Sequence, residues 1–194
     1  MKTAIIIAGK KQSGKDTLAS YFVRDGYTRY AFADCLKASL KGFLQAQFYT
    51  TIDVEDFSNN RKKENYKLRF PFCENEHSLR DLMQWYGEMI KDKFGKFFWI
   101  KNLAYNAISN QSELIVISDC RFDYEFTEIQ KLLPDFTFHS FYVERKSKAT
   151  DDTHISENCL DDKKDLFDFV ITNDQEVKQF KMEYERIRDY LASC

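Results

Sequence analysis

The chain has 194 residues, of which 43% are hydrophobic and 31% charged, a composition that excludes an intrinsically disordered protein. Its net charge of −2 argues against a protein that coats nucleic acid, so no nucleic-acid partner is expected. The five cysteines form no C-x-x-C pair and no stretch is long enough to span a membrane, which predicts a cytoplasmic protein without a membrane partner.

The first element is an apolar run at residues 4–8, which predicts a buried strand. Gly9, Gly14 and Lys15 follow at the spacing G-x-x-x-x-G-K, and a helical pattern comes next. Strand, glycine-bounded loop and helix in this order are typical of a P-loop, whose backbone N–H groups and helix N-terminus bind phosphate. An ordinary glycine-rich turn is the alternative, but the placement between a strand and a helix favours phosphate binding.

The residues at the start of this helix predict how the phosphates are held. Lys15 is expected to reach the β- and γ-phosphates of a nucleotide as a mobile positive charge. Asp16 stands where a Ser or Thr usually contacts magnesium, and the hydroxyl of Thr17 follows one residue later. An aspartate still offers an oxygen to a hard cation, directly or through water.

The next elements are a strand at residues 27–33 and a short helix that Asp34 opens. Lys37 lies in the first turn of this helix, where the helix dipole disfavours a cation. Such a local conflict often marks a functional residue, and a solvated surface lysine is the alternative. Residues 50–76 carry both signs of charge without a clean period, which predicts either a solvated connection or a flap over the substrate.

A strong helix is predicted from Ser78, because Ser78 and Asp81 resemble a capping box before an apolar stripe. Arg80 lies near the positive end of this helix, which favours an anion opposite it. Gln84 and Trp85 lie off the apolar stripe or at its edge. A second helix, at about residues 96–108, is expected to bury Phe97, Ile100, Ala104 and Ile108.

The clearest internal strand covers residues 113–119 and has four consecutive apolar residues, as in a parallel strand buried on both faces. It ends on Asp119, with Arg121 two residues later. Ligands of parallel α/β sheets bind beyond the carboxyl ends of strands, so both residues are expected on the same rim as the P-loop. Asp119 resembles a Walker-B carboxylate that positions magnesium, and capping of the next helix is an equally good interpretation.

The last third of the chain completes the sheet. Residues 136–144 predict a strand, and the charged residues after it predict a lid whose arginine closes over phosphates. Residues 168–172 predict a final strand, and Asn173 with Glu176 is expected to cap the last helix. Strands that alternate with helices predict an α/β P-loop fold: a parallel sheet of about five strands with helices on both faces.

The motifs together resemble one family, the deoxynucleoside monophosphate kinases of tailed bacteriophages. The resemblance rests on segments in this order: G-K-K-Q-S-G-K-D-T, A-F-A-D-C-L-K, S-L-R-D-L-M-Q-W-Y-G, V-I-S-D-C-R-F, D-T-H-I-S-E and F-V-I-T-N-D. It covers nearly the whole chain except residues 50–76, and an aspartate after the P-loop lysine is similar to the family's form. The animal-type phosphomevalonate kinase is similar at the glycine loop, the R-W-G helix and the S-D-x-R strand end.

The resemblance implies a three-layer nucleoside-monophosphate-kinase-like fold in a single domain, residues 1–194, with an acceptor-binding insertion at about 45–110 and a lid at about 145–158. ATP would be bound by Ser13, Gly14, Lys15, Asp16 and Thr17. The acceptor dNMP would be bound by Lys11, Lys37, Arg61, Arg80, Gln84, Trp85, Asp119, Arg121 and Glu125. Magnesium would be held by Asp16, Thr17 and Asp119, and the catalytic residues would be Lys15, Asp16, Arg121 and the lid residue Arg145.

The implied reaction is ATP + dNMP → ADP + dNDP with Mg²⁺, in the host cytoplasm if a phage encodes the chain. A kinase of a non-nucleotide phosphate, similar to phosphomevalonate kinase, is the first alternative. A P-loop module that binds ATP in a regulatory role is the second. The resemblance allows either a monomer or a homodimer.

Overall fold

A computed structural model describes residues 2–48, 52–69, 74–145, 159–174 and 177–193. The chain divides into two compact units. The first, here called the sheet unit, comprises Met1–Ala31 and Ala104–Cys194, and the second, the helical unit, comprises Phe32–Leu103. The helical unit overlaps most of the predicted insertion at about residues 45–110, and the prediction of one kinase domain with an insertion stays a prediction.

The secondary structure is numbered along the chain. Its strands are β1 (Lys2–Ala8), β2 (Thr28–Tyr30), β3 (Lys67–Arg69), β4 (Glu76–Ser78), β5 (Leu114–Cys120), β6 (Phe136–Glu144) and β7 (Phe169–Thr172). Its α-helices are α1 (Lys15–Arg24), α2 (Phe32–Phe48), α3 (Val54–Ser58), α4 (Asn60–Asn65), α5 (Leu79–Phe94), α6 (Phe98–Ser109), α7 (Asp123–Leu132) and α8 (Val177–Ser193). A 3₁₀-helix covers Asp161–Leu166.

The sheet unit is built on a parallel sheet in the order β2-β5-β1-β6-β7. The central strand β1 pairs with β5 on one side, where Ile5 lies beside Val116, and with β6 on the other, where Ile5 lies beside His139. The predicted parallel sheet of five strands is confirmed. Because all these strands run the same way, the loops after β1, β5, β6 and β7 leave the sheet at one edge.

Helices cover both faces of this sheet. On one face, Ile5 and Ile7 pack with Phe22 of α1 and Tyr184 of α8 in a buried apolar cluster. On the other face, the ring of Phe167 packs between two aromatic rings. Its centroid lies 5.4 Å from that of Phe126 in α7 and 5.5 Å from that of Tyr142 in β6. The strands are therefore buried from both sides, which explains the apolar runs at residues 4–8 of β1 and 114–117 of β5.

A polar contact fixes the start of β7 against β6. Ser140, which is buried in β6, donates hydrogen bonds from its backbone N and its hydroxyl to the carboxylate of Asp168, at 2.7 and 2.9 Å. The backbone N of Asp168 in turn donates to Ser140 Oγ at 3.0 Å. A buried hydroxyl satisfied in this way holds β7 in register, and with it the loop that follows β7.

The helical unit has its own core and a small antiparallel hairpin. Its buried apolar residues are Leu40, Leu44, Ile52, Phe57, Leu79 and Leu82. The segment at residues 50–76, which showed no period in the sequence, contains α3, α4 and β3, and β3 pairs with β4 so that Lys67 lies beside Ser78. Ser78 caps α5 in a capping box with Asp81, as predicted.

One prediction about packing is wrong. The helix expected at residues 96–108 is observed as α6, but Ile108 is 59% exposed rather than buried. The buried stripe of α6 is formed by Ile100, Leu103, Ala104 and Ala107. Among the described residues, no helix combines the length and the apolar composition needed to cross a membrane.

Candidate active site

The loop between β1 and α1 adopts a conformation that requires glycine at two positions. Gly9 and Gly14 have φ angles of 141° and 107°, and Gln12 also has a positive φ of 63°. A Cβ on Gly9 would lie 2.2 Å from the carbonyl oxygen of Val143, and a Cβ on Gly14 would lie 2.2 Å from Nδ2 of Asn173. Both glycines are therefore required by backbone conformation and by close packing.

Lys15 begins α1 and is only 6% exposed. Its ammonium group donates a hydrogen bond to the backbone carbonyl of Lys10 at 3.0 Å, across the loop. The positive charge is thus held at the loop and at the N-terminus of α1, where the helix dipole also favours an anion. This is the arrangement that a P-loop needs for phosphate binding.

A cavity of about 280 Å³ opens at this loop within the sheet unit. It is lined by Gln12, Gly14, Lys15, Asp16, Thr17, Arg145, Asn173 and Phe180. The sequence predicted Gly14, Lys15, Asp16, Thr17 and Arg145 at a nucleotide site, and the fold brings these five together. Within the loop, Ser13 is buried and Lys11 is half-buried.

Arg145 contributes a second cation to the cavity. It directly follows β6, and its Nε is buried without a hydrogen-bond partner among the described residues. A buried donor without a partner costs free energy, and inside a cavity it favours an anionic ligand. The rest of the predicted lid, residues 146–158, lies outside the described residues.

The first turn of α1 offers oxygen ligands that fit a phosphate-bound magnesium ion. Asp16 and Thr17 are exposed there and line the cavity. No cluster of three or more metal-binding side chains exists among the residues described here. Mg²⁺ typically keeps several waters and binds one or two carboxylates together with substrate phosphates, so this sparse set suits it better than a closed protein cage would.

Asp119 and Arg121 lie at the carboxyl end of β5, beside the strand that leads into the loop. Cys120, between them, is paired with Ala8, the last residue of β1. Both side chains are partly buried. The register therefore places these two residues on the edge of the sheet where the glycine loop begins, as the sequence predicted.

Glu125 has a local structural role in addition to any contact with a ligand. Its carboxylate accepts hydrogen bonds from the backbone N of Arg121 at 2.8 Å and of Phe122 at 3.1 Å, ahead of α7. Burial raises the pKa of Glu125 to about 8, and the negative charge of Asp119 adds to this rise. The prediction that Glu125 also lines the acceptor site stays a prediction.

The remaining predicted acceptor residues lie in the helical unit. Lys37 donates a hydrogen bond to Ser58 Oγ at 3.2 Å. Nε of Arg80 donates to the Glu64 carboxylate at 2.5 Å, which links α5 to α4. Arg61 is exposed on α4. Two of these cations are therefore already oriented by neighbouring oxygens.

Gln84 and Trp85 are exposed side chains of α5. The Trp85 ring is 50% exposed and lies 6.4 Å from the ring of Phe43. Tyr86 lies 6.0 Å from the same Phe43 ring, so three aromatic rings meet on this side of the helical unit. A half-exposed tryptophan supported from behind can present a flat face to a ligand.

Sequence reasoning missed Gln12, Asn173 and Phe180 as lining residues of the loop cavity. Asn173 was expected to cap α8 with Glu176, which lies outside the described residues. That capping role stays a prediction, and the side-chain amide of Asn173 donates to the carbonyl of Ser13 at 2.7 Å. The available signal was topological, because Asn173 follows β7 and the carboxyl end of β7 lies on the same sheet edge as the loop.

Comparison with known families decides the kind of protein. The sequence profile of the family described as deoxynucleotide monophosphate kinase matches residues 45–183, more than half of the chain. The chain belongs to the deoxynucleotide monophosphate kinase family. The glycine loop precedes the matched range, so its assignment rests on the geometry given above.

Solved structures are similar to this member of the deoxynucleotide monophosphate kinase family, and the likeness to the first of them shows the fold. Dephospho-CoA kinase from Campylobacter jejuni is 11% identical, with 100% of this chain and 98% of that chain covered at a TM-score of 0.55. Shikimate kinase from Aquifex aeolicus is 9% identical, with 98% and 97% covered at a TM-score of 0.46. No curated protein sequence matches the chain significantly.

The family and the fold together establish the general activity. The chain is an ATP-dependent phosphotransferase of the P-loop kinase fold, and its family makes it a nucleotide kinase. The predictions of the family, the fold class and the enzyme type are confirmed. The roles of the individual site residues stay predictions.

Proposed function

We propose that the chain transfers the γ-phosphoryl group of ATP to a deoxynucleoside monophosphate, giving dNDP and ADP. The observation that carries this proposal is the family match over residues 45–183. The matched range contains most of the predicted acceptor residues, among them Arg80, Gln84 and Arg121. The loop cavity supports the proposal from outside the matched range, because the glycine loop, which precedes that range, would bind the ATP phosphates there.

On the donor side, the loop N–H groups, Lys15 and Arg145 would neutralise the phosphate oxygens. Phosphoryl transfer passes through a loose transition state whose charge is spread over the transferring group, so alignment and charge neutralisation supply most of the catalysis. The ammonium group of Lys15 already lies at the loop, where its Nζ is 3.0 Å from the carbonyl oxygen of Lys10. The Nε of Arg145, which has no hydrogen-bond partner in the described part of the chain, is the second donor available in the cavity.

Asp16 and Thr17, with Asp119 on the neighbouring strand end, are the residues that would hold Mg²⁺. The ion would supply positive charge that neutralises part of the charge of the ATP phosphates. Water and phosphate would complete its ligands, because the protein offers only a carboxylate and a hydroxyl at the first turn of α1.

On the acceptor side, Lys37, Arg80 and Arg121 would hold the monophosphate. Arg80 supports this role by its environment: its side chain is 29% exposed and its Nε is directed to a carboxylate at 2.5 Å. A dianionic phosphate can replace such a carboxylate as the partner of a guanidinium group. Lys11 and Arg61 would add positive charge, and Glu125 would line the same pocket. Gln84 and Trp85 would contact the base.

The lid at about residues 145–158 would close over the phosphates and exclude water, which would otherwise compete as an acceptor. The proposed reaction belongs to deoxynucleotide biosynthesis in the cytoplasm, or in the host cytoplasm if a bacteriophage encodes the chain. A homodimer is compatible with this proposal, and sedimentation analysis of the purified protein would detect it.

An acceptor panel tests the proposal. ADP release would be measured with ATP and Mg²⁺ plus each of the four dNMPs, the matching ribonucleotides, phosphomevalonate, or no acceptor. We expect rapid ADP release with at least one dNMP and little without an acceptor. Turnover with phosphomevalonate alone would assign the chain to a non-nucleotide kinase, and ADP release that no acceptor accelerates would indicate a regulatory ATP-binding module. Either result would overturn the proposal.

A further inference from the structure

Asn173 connects two segments that line the loop cavity. Its side-chain Nδ2 donates a hydrogen bond of 2.7 Å to the carbonyl oxygen of Ser13 in the glycine loop. Its backbone N donates a hydrogen bond of 2.7 Å to the carbonyl oxygen of Glu144, the residue before Arg145. Asn173, which directly follows β7, is therefore hydrogen-bonded both to the glycine loop and to the end of β6, next to Arg145.

The side chain of Asn173 also packs directly on Gly14. A Cβ at Gly14 would lie 2.2 Å from Asn173 Nδ2 and 3.3 Å from its Cγ. Gly14 has a φ of 107° and is the N-cap of α1 without a side-chain cap hydrogen bond. The Asn173 amide thus lies against the last peptide of the loop, at the position where the helix begins.

We propose that Asn173 is a positioning residue that locks the Ser13–Gly14 peptide in its phosphate-binding orientation. In a trans peptide the carbonyl oxygen and the following N–H point in opposite directions. By holding the Ser13 carbonyl, Asn173 fixes the direction of the Gly14 N–H, away from Asn173 and toward the ATP phosphates. A rotated peptide would present the Ser13 carbonyl oxygen to the phosphates and repel them.

Glycine makes this lock necessary. Gly14 accepts many more backbone conformations than other residues, so the peptide before it rotates easily unless it is held. A side chain at position 14 would restrict the rotation, but the close approach of Asn173 leaves no room for one. The contact from residue 173 therefore holds the Ser13–Gly14 peptide, which no side chain at position 14 can restrict.

The inference rests on ATP as the phosphoryl donor and not on the identity of the acceptor. Its test therefore needs only ATP, and its failure would leave the proposed acceptor unaffected. Two variants separate the hydrogen bond from packing. Asn173→Leu keeps the bulk of the side chain but cannot donate, and Asn173→Ala loses both. Asn110→Ala is the matched control, because it removes an amide that donates to Tyr30 Oη at 3.1 Å, away from the cavity residues.

Calorimetry with ATP and amide NMR spectra of ¹⁵N-labelled protein are the two measurements. In the wild type and in Asn110→Ala, we expect ATP to shift the Gly14 amide proton downfield, as hydrogen bonding to a phosphate would. In both Asn173 variants we expect the Kd for ATP to rise about fivefold, as for one lost hydrogen bond, and the Gly14 shift to shrink. Loss of general stability would lower the number of binding sites but would not change the shift in the bound protein.

Three results would overturn the inference. The first is a Gly14 amide that ATP does not move in the wild type. The second is a pair of Asn173 variants with unchanged Kd, or with a raised Kd and a full Gly14 shift. The third is an effect in Asn173→Ala that Asn173→Leu does not share, which would assign the role to packing. If Asn173→Leu does not fold, the Kd and the Gly14 shift of Asn173→Ala decide.

Discussion

The carbonyl oxygen of Val143 lies against Gly9, 2.2 Å from the position that a Cβ on this glycine would occupy. Val143 belongs to β6, two residues before Arg145, and Gly9 is the first residue after β1. The glycine loop is therefore packed directly against β6, the strand that Arg145 follows. A side chain at residue 9 would therefore displace either the glycine loop or β6.

Gly9→Ala should consequently disturb both the loop and the fold around it. The positive φ of 141° adds backbone strain to the clash, so we expect a loss of about 2 kcal/mol or more in the free energy of unfolding. ATP binding should weaken in the same variant. Urea unfolding and calorimetry would measure the two effects.

Gly42→Ala is the control for this substitution. Gly42 lies within α2, and a Cβ there would meet nothing within 4 Å. Alanine should stabilise the helix by up to about 1 kcal/mol, because glycine is a poor helix former. A Gly9→Ala protein as stable and as active as Gly42→Ala would contradict the packing described here.

Lys15→Met should remove turnover and leave the fold intact. Methionine is similar in length and can occupy the buried position, but it carries no charge for the phosphates. We expect kcat to fall at least about 100-fold, the usual effect of deleting one donor to a transition-state oxyanion. ADP release and thermal melting would check both parts. Lys131→Met, on the exposed side of α7, should behave as the wild type, and retained turnover in Lys15→Met would reject the donor role.

Arg80→Ala should raise the KM for the acceptor far more than the KM for ATP. Loss of a charge-assisted hydrogen bond to phosphate predicts a rise of about tenfold or more in the acceptor KM. Initial rates with each substrate varied in turn would give both constants. Arg186→Ala, which removes a 74% exposed arginine of α8, is the control. An equal rise in both constants would reject the acceptor role of Arg80.

Glu125 should make the stability of the protein depend on pH. Burial raises its pKa from 4.5 to about 8 in the folded protein, with Asp119 adding to the rise and the N–H groups of Arg121 and Phe122 and the Arg121 charge opposing it. Between these two values the folded chain keeps a proton that the unfolded chain has lost. Stability from this residue is therefore fully present below about pH 4.5 and is lost as the pH rises to about 8.

The variant Glu125→Gln isolates this effect, because glutamine does not titrate and still offers an oxygen to the N–H groups before α7. Urea unfolding from about pH 5 to pH 8 should show the wild type losing stability relative to Glu125→Gln, with a slope that approaches 1.4 kcal/mol per pH unit. The difference should become constant above this range. Parallel curves for the two proteins would show that the pKa is not raised.

The sequence predicts the loop cavity only as far as local patterns reach. Strand β1, the glycine spacing and Lys15 are consecutive, so their geometry follows from the chain itself. Asn173 and Phe180 join the cavity because β7 belongs to the same parallel sheet, so its carboxyl end lies on the same side of the sheet as the glycine loop. No local pattern encodes this arrangement. Arg145 was predicted because it directly follows a recognisable strand.

Elements without a clear hydrophobic period were predicted less well. The hairpin of β3 and β4 has three residues in each strand, too few for an alternating pattern. In α6, apolar residues occur on most of the helix surface, so periodicity could not show that Leu103 and Ala107 are buried while Ile108 is exposed. In both cases tertiary packing, rather than local preference, selects the structure.

The most direct test of the central claim follows the phosphoryl group itself. ATP labelled with ³²P at the γ position would be incubated with the enzyme, Mg²⁺ and each dNMP, and the products would be separated by chromatography. We predict that the label appears at the β-phosphate of a dNDP in step with ADP. Label found only in inorganic phosphate, with all four dNMPs present, would contradict the account.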